Sequence, residues 1–290
     1  MDTELLKFAC EMEHSYMNEI DTYIMENIDE AIRLDIKTDP EAVRRQARFC
    51  GVSPGLRVLD AGCGSGKVTS ILHEMLQPDG KIIGIDYSEV RISYANEHFG
   101  DESNIEFHVH DLMHPPIKFG NFDIIWVRFF LEYFRKESFD IVKNLSSVLK
   151  PGGCMCLIDL DYNCLNHYEL HPRVENQLNR LISRLEKEHN FDPYAGRKLY
   201  SYLYDLGFKE IKIDLMAHHL LYGEIKEEVL FNWSKKIEIV TKKTEDLFYE
   251  YPGGNMGFFA DYRNFFLDPR RFTYTPVIIC KGFKPLNPAS

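Results

Sequence analysis

The chain lacks the features that place a protein across a membrane or on nucleic acid. The sequence contains no run of about 18 apolar residues, the length needed to span a bilayer. Nothing near the start resembles a signal peptide. Basic residues are the minority, since 34 Lys and Arg stand against 45 Asp and Glu, for a net charge of −11. Nucleic-acid binders normally present a basic surface, although an acidic protein can hold a basic pocket. We expect a cytoplasmic protein with no membrane span and no nucleic-acid partner.

The cysteines show no pattern of a disulfide framework or a zinc site. There are seven, an odd number, scattered along the chain with no CxxC pair, which is typical of reduced thiols in a cytoplasmic protein. Hydrophobic residues make up 44% and charged residues 27% of the 290 residues, the ordinary range for a globular protein. We expect one large domain, or one domain with a sizeable insertion.

The hydrophobic pattern divides the chain into three parts. Residues 1–54 have helical periodicity, and Asp39-Pro40-Glu41 has the sequence of a helix start. Residues 55–161 alternate apolar strands with amphipathic helices, which indicates a doubly wound, mostly parallel α/β sheet. Residues 162–290 hold the remaining core strands and helical insertions. The predicted strands cover residues 57–60, 81–86, 105–110, 122–127, 154–160, 208–215 and 277–283.

One insertion, residues 224–251, is predicted as a single long amphipathic helix. Its apolar side carries Trp233, Ile237 and Val240. That face must pack either on the core of this chain or on a second subunit, so a homodimer through the helical insertion is one hypothesis.

The most informative segment is a glycine loop directly after the first strand of the core. Gly62, Gly64 and Gly66 alternate with other residues and lead into a helix, so bare backbone and a positive helix end face any ligand there. A phosphate-binding P-loop requires GxxxxGK[ST], and both ends of that pattern fail here. The dinucleotide pattern GxGxxG fails at its third glycine, where Lys67 stands. The pattern present is GxGxG preceded by Asp60.

This loop and four later segments resemble the motifs of class I S-adenosylmethionine-dependent methyltransferases. The five segments, in the family's order, are residues 58–66, 83–88, 110–112, 122–128 and 149–153. The resemblance implies a Rossmann-like methyltransferase fold with N-terminal helices and a helical insertion covering the active site. It also implies the cofactor S-adenosyl-L-methionine and a small-molecule methyl acceptor. The flanking helices resemble those of quinone-biosynthesis and natural-product methyltransferases.

The resemblance implies a cofactor site at the carboxyl ends of the strands. Asp86 would accept the ribose hydroxyls, as the acid does in dinucleotide folds, and Asp111 with the Leu112 amide would contact adenine. Glycine-loop carbonyls and that of Val127 would accept from the methionine ammonium. Asp60 would orient the loop or approach the methionine, and Arg128 would contact the cofactor carboxylate or the substrate, unless it forms a surface ion pair. The full predicted set is Asp60, Ala61, Gly62, Gly64, Gly66, Asp86, Tyr87, Asp111, Leu112, Val127 and Arg128.

The sequence does not identify a catalytic residue. If the acceptor is a hydroxyl or an amine, a general base is needed, and the acceptor-side segments offer six: Asp161, Tyr162, His167, His171, His218 and His219. Asp159 is a further acid that faces the acceptor in this hypothesis. His108, His110 and His114 cluster like metal ligands, but methyl transfer from a sulfonium needs no metal, and none is predicted.

Two alternatives and one local question stay open. The chain could be a non-catalytic S-adenosylmethionine-binding protein, or an NAD-dependent oxidoreductase on a similar fold. The glycines 253, 254 and 257 precede a set of aromatic residues that includes Phe258, Phe259 and Tyr262. These aromatics either pack a core or form a lid that excludes water from the reacting groups.

Overall fold

A computed structural model gives the architecture and describes residue 35 and residues 38–162 and 166–286. The helices predicted before residue 38 lie outside the described residues. The strands are β1 (Arg57–Ala61), β2 (Lys81–Asp86), β3 (Ile105–Val109), β4 (Phe122–Arg128), β5 (Leu149–Leu160), β6 (Asn166–Tyr168), β7 (Lys209–Leu221) and β8 (Phe272–Phe283). The α-helices are α1 (Pro40–Cys50), α2 (Lys67–Leu76), α3 (Glu89–Phe99), α4 (Ser138–Ser146), α5 (Pro172–Glu188), α6 (Ala195–Asp205), α7 (Glu227–Lys243) and α8 (Gly254–Leu267).

The strands form one mostly parallel sheet. Its order is β3-β2-β1-β4-β5-β8-β6, with β7 also paired to β8. Strands β1 to β5 are parallel, and β8 runs antiparallel to β5, β6 and β7. The direction of strand order reverses between β1 and β4, and open α/β sheets bind ligands at such a switch point, beyond the carboxyl ends of the strands. The sheet confirms the predicted fold class.

Helices cover both faces of the sheet, because its central strands are apolar on both sides. On one face, α1, α2 and α3 bury residues such as Val43, Leu72 and Ile92. On the other face, α4 and α6 bury residues such as Ile141 and Leu199. Fully burying one such side chain stabilises the fold by about 1.5–3 kcal/mol.

The predicted helix start at Asp39 is confirmed by its capping bonds, and the structure shows a second capped start at Ser88. The Oδ1 atom of Asp39 accepts hydrogen bonds from the backbone N–H groups of Glu41 and Ala42, at 2.9 and 3.4 Å, at the start of α1. The Ser88 hydroxyl accepts one from the Arg91 N–H at the start of α3. Such a cap contributes about 1 kcal/mol. The second cap fixes the chain two residues after Asp86.

A separate apolar unit lies beside the carboxyl edge of the sheet. It is formed by α5, α7, α8 and the 3₁₀ turn Glu245–Phe248, and we call it the helical unit. The last residue of β5, Leu160, pairs with Val277, so residues 272–276 of β8 extend beyond the carboxyl end of β5. There they pair with β6 and the end of β7. The helical unit is therefore attached at the edge where the predicted cofactor site lies.

The helical unit uses the apolar face of α7 within this chain. Trp233, Ile237 and Val240 are buried in the same cluster as Leu178 of α5 and Phe258 of α8. The first of the two predicted packing arrangements is therefore the one observed.

The prediction of one helix over residues 224–251 is wrong. Helix α7 ends at Lys243, and a 3₁₀ turn follows. Near the break, the hydroxyls of Thr241 and Thr244 donate to the carbonyls of Ile237 and Val240, four residues earlier, and Thr244 leaves helical geometry with φ −128°. Threonine hydroxyls that bond the preceding turn weaken helices and bend them.

The aromatic region that follows Gly253 forms a regular helix, α8. Gly253 starts this helix in the left-handed region with φ 78°. A Cβ on Gly257 would lie 1.9 Å from the Pro252 carbonyl oxygen. These two glycines are therefore explained by tight local packing.

Five cysteines within the described residues are free and buried: Cys50, Cys63, Cys154, Cys156 and Cys280. No helix in the described ranges has the length and apolarity to cross a bilayer. The three-part division at residues 54 and 161 stays a prediction, although α1 packs on the sheet.

Candidate cofactor-binding site

The glycine loop connects β1 to α2 at the switch point. Gly62, Gly64 and Gly66 have φ values of 79°, 55° and 83°, the left-handed region that glycine adopts without strain. The N–H groups of Gly62 and Cys63 both donate to the carbonyl of Ile85, the residue before Asp86. These bonds join the loop to the end of β2, so the two predicted motifs meet.

Contacts around the loop explain two of its glycines. A Cβ on Gly62 would lie 2.4 Å from the ring of Phe130, and one on Gly66 would lie 2.8 Å from the Cβ of Ala95. Phe130 follows β4 and was not among the predicted site residues. No local sequence signal identifies it, because its contact with Gly62 links residues 68 positions apart.

Asp86 is buried where the loop meets the end of β2. Its Oδ2 accepts a hydrogen bond from the Gly64 N–H and its Oδ1 accepts one from the Ser88 N–H, both at 3.0 Å. The guanidinium of Arg91 lies 3.6 Å from Oδ2. A carboxylate has about four acceptor positions, so Asp86 holds the loop and keeps acceptor capacity for a ribose hydroxyl.

Asp60, at the end of β1, connects β1 to helix α2 on the far side of the glycine loop. It is buried, and its Oδ2 accepts a 2.6 Å hydrogen bond from the hydroxyl of Thr69 on α2. Burial raises the pKa of Asp60 to about 7, while the Thr69 bond and the nearby Arg128 charge act in the opposite direction. Of the two roles predicted for Asp60, this geometry favours orientation of the loop. Thr69 was missed, although a hydroxyl one turn into the helix is a readable signal.

The predicted adenine contacts lie at the end of β3. Asp111 accepts a hydrogen bond from the Met113 N–H at 2.9 Å, which makes it a turn residue as well. Leu112 is buried in the sheet core. Tyr87, directly after Asp86, is 46% exposed at the same edge. The roles of these residues toward a cofactor stay predictions.

Ala61, Val127 and Arg128 complete the predicted set at the ends of β1 and β4. Ala61 and Val127 are buried and face each other across the strand pair. Arg128 donates from Nε to the Gln46 side chain of α1 at 2.9 Å and stacks on the Phe129 ring at 4.0 Å. Burial lowers the pKa of Arg128 to about 10, against the charges of Asp60 and Asp159. Its described partners are thus an amide and a ring, which differs from the predicted surface ion pair.

Asp159 lies inside the protein and does not face an open acceptor site. Its Oδ2 accepts from the N–H groups of Leu131 and Glu132, at 2.9 and 3.3 Å, and its Oδ1 from Leu160. Burial, with the neighbouring Glu132 second, raises its pKa well above the usual range. Asp159 therefore positions the turn that follows β4.

The histidines that resembled a metal cluster have other partners. His108 Nε2 lies 3.0 Å from the Glu106 carboxylate, and His110 Nε2 lies 3.0 Å from the His114 carbonyl. Within residues 38–162 and 166–286 no group of three potential ligands is placed to hold a metal ion.

Comparison with known proteins identifies the part of the chain that contains this site. A family described as "Methyltransferase domain" matches residues 58–153. A demethylmenaquinone methyltransferase of Lactococcus lactis subsp. lactis (strain IL1403) is 34% identical over 117 residues. Residues 58–153 are therefore similar to a methyltransferase domain. The predicted recognition and the S-adenosylmethionine cofactor are thereby confirmed for this domain.

The Lactococcus match covers 40% of this chain and 46% of that relative, so the chain spans about half of the curated protein's length. The phosphoethanolamine N-methyltransferase 2 of Haemonchus contortus, solved with phosphomonomethylethanolamine and S-adenosylhomocysteine, has a TM-score of 0.53 at 18% identity. That alignment covers 85% of this chain and 52% of that one. The YcgJ protein of Bacillus subtilis has the same TM-score and identity and covers 85% and 99%. These structures share the fold.

The residues present fit this cofactor. The loop offers bare backbone at three left-handed glycines, and Asp86 keeps acceptor capacity beside it. When bound, S-adenosylmethionine supplies a methyl group activated by a sulfonium. Gly62, Gly64 and Gly66 would hold its methionine part, and Asp86 its ribose.

Proposed function

We propose that the protein is a methyltransferase that moves the methyl group of S-adenosylmethionine to a small-molecule acceptor by in-line displacement. The observation that carries this proposal is the methyltransferase domain, whose glycine loop is joined to Asp86 at the switch point of the sheet. Catalysis by this chain then rests mainly on positioning and on exclusion of water.

The acceptor is proposed to be a small molecule with an ionisable hydroxyl or amine, methylated on oxygen, on nitrogen or on a carbon activated by that group. Two observations support this: the similarity to a demethylmenaquinone methyltransferase and the acidic net charge, which disfavours nucleic acid. A cytoplasmic location and a homodimer stay predictions. Phe231, 59% exposed on α7, is an apolar residue available to a second subunit.

The test is transfer of label from methyl-labelled S-adenosylmethionine to two probes, demethylmenaquinol and phosphoethanolamine. We expect labelled product from demethylmenaquinol. Label on phosphoethanolamine alone would keep the activity and change the acceptor class. Tight cofactor binding with no product from a broad set of small acceptors would favour the non-catalytic alternative.

A further inference from the structure

The structure separates the six candidate bases by their surroundings. Asp161 is paired with Arg197 through two hydrogen bonds of 2.7 and 3.2 Å, and Tyr162 stacks on Tyr194. His171 caps α5 by accepting from the Arg173 N–H. His167 lies 2.9 Å from the Thr273 hydroxyl, with its ring against Phe265 of the helical unit.

The two remaining candidates, His218 and His219, lie on the part of β7 that extends beyond the carboxyl end of β5. Met216 pairs with Val277, the residue opposite the last one of β5. The register between β7 and β8 then shifts between Ala217 and His219. Such a β-bulge re-aims side chains and is common beside active sites.

The bulge directs the two histidines to different neighbours. The His219 ring lies 5.2 Å from Trp233 of the helical unit. The His218 ring lies 4.8 Å from Phe129, the first residue after β4. Phe129 is held in the left-handed region at φ 54°, and the next residue, Phe130, covers Gly62 of the cofactor loop. His218 thus contacts Phe129, the residue directly before the one that packs on the glycine loop.

A second charged group lies against the same ring. The Arg128 guanidinium is 4.0 Å from the centre of the Phe129 ring. Arg128 and His218 therefore both contact the Phe129 ring at the switch point. A hydroxyl that loses its proton there leaves an anion whose charge Arg128 opposes.

We propose that His218 is the general base that deprotonates the methyl acceptor. This inference rests on the proposed function. The acceptor O–H or N–H bond breaks, and a nitrogen of the neutral imidazole gains the proton. In an O- or N-acceptor the freed electron pair attacks from that atom. In a quinol it is delocalised to the ring carbon that attacks, and this carbon then loses its own proton to solvent. The imidazolium then returns its proton to solvent. Charged and titratable groups near His218 include His219 on its own strand and Arg128 across Phe129.

The test compares His218→Gln with the matched control His219→Gln in the full chain, with demethylmenaquinol as the probe. We expect kcat to fall by about 100-fold or more in His218→Gln, the usual range for loss of a general base. The fall of kcat toward acidic pH should also disappear in this variant. S-adenosylhomocysteine affinity, measured by calorimetry, and melting temperature should change little. Imidazole should restore part of the activity of His218→Ala. Retention of half the turnover with an unchanged pH profile, or an equal loss in both glutamine variants, would overturn the assignment.

An activity-independent measurement separates this inference from the proposed function. The His218 ring resonance, assigned by its loss in His218→Gln, should shift when demethylmenaquinol is added to the protein with S-adenosylhomocysteine. The His219 resonance should shift less. A binding probe that leaves His218 unperturbed contradicts the inference even if methyl transfer occurs. If no probe binds or reacts, the proposed acceptor class fails. The reactivity of the His218 imidazole toward a histidine-modifying reagent then tests the inference by itself, because a His218 that the reagent cannot reach cannot act as a base.

Discussion

Asp86 combines an observed structural role with a predicted ligand role in one carboxylate. The sequence predicts a ribose acceptor, and the structure adds bonds to the Gly64 and Ser88 N–H groups. Its removal therefore affects the loop before any ligand arrives.

We expect Asp86→Ala to weaken S-adenosylhomocysteine binding by about 1.5–3 kcal/mol and to destabilise the free protein by about 1–3 kcal/mol, because two buried N–H groups lose their acceptor. Calorimetry and urea unfolding measure the two effects. Ser88→Ala is the control, since it removes only the α3 cap, worth about 1 kcal/mol. Full cofactor affinity in a folded Asp86→Ala protein would leave Asp86 with the loop role alone.

Asp60 should make stability depend on pH. Its folded pKa of about 7 lies above the unfolded value near 3.9, so its contribution is complete below pH 3.9 and is lost as pH rises through 7. Between about pH 5.5 and 8.5 the wild-type free energy of unfolding should fall by about 2 kcal/mol more than that of Asp60→Asn. Urea unfolding of both proteins at the two pH values measures this. Parallel slopes would show that Asp60 stays ionised at both.

The motifs allow the positions of the strand-end residues to be predicted, but not their neighbours. Asp86 and the glycine loop follow from local patterns, because each lies at a strand end of recognisable apolar character. Three contacts join distant parts of the chain: Phe130 with Gly62, Gln46 with Arg128, and His218 with Phe129. Such pairs depend on sheet order and on a bulge, which no local window contains.

At the scale of elements, β1 to β4 were predicted within one residue because buried parallel strands are nearly continuous in apolar residues. The later strands extend further than predicted: β5 begins at Leu149, β7 ends at Leu221 and β8 begins at Phe272. The helical unit was predicted less well. Helix α8 is aromatic on several sides, so it lacks the one-sided apolar pattern of an amphipathic helix. Helix α7 has that pattern, but it ends at Lys243, eight residues before Tyr251, where Thr241 and Thr244 turn their hydroxyls to the backbone.

Substitutions in helix α8 test whether its aromatic residues form a core or a lid. Phe258 is fully buried with Phe248, Tyr251 and Tyr262 around it. We expect Phe258→Ala to cost about 3–5 kcal/mol in urea unfolding, with cofactor affinity unchanged in the remaining folded protein. Met256→Ala, on the same helix at 69% exposure, should change stability by less than about 0.5 kcal/mol. A stable Phe258→Ala protein that loses only acceptor turnover would restore the lid hypothesis.

At the scale of the whole molecule, the proposed cofactor and acceptor functions fall on two parts of one fold. The predicted cofactor residues lie on β1 to β4 and their loops, while the residues proposed for the acceptor side lie on β7. Ligand binding to the first part should therefore stabilise the protein whether or not an acceptor is known.

S-adenosylhomocysteine should raise the melting temperature, and NAD should not. A ligand that binds only the folded state stabilises it by RT ln(1 + [L]/Kd), about 2.7 kcal/mol at 100 times Kd. Discrimination against NAD has its physical reason at the start of α2. Lys67 stands there at the position where a dinucleotide loop needs a glycine for close helix–strand packing. The Lys67 ammonium lies 5.7 Å from the Phe99 ring. Thermal unfolding with each ligand in excess measures the two shifts, and Asp86→Ala should show a smaller one with S-adenosylhomocysteine. Stabilisation by NAD with no response to S-adenosylhomocysteine would favour the oxidoreductase alternative, because the same sheet edge would then accept a pyrophosphate.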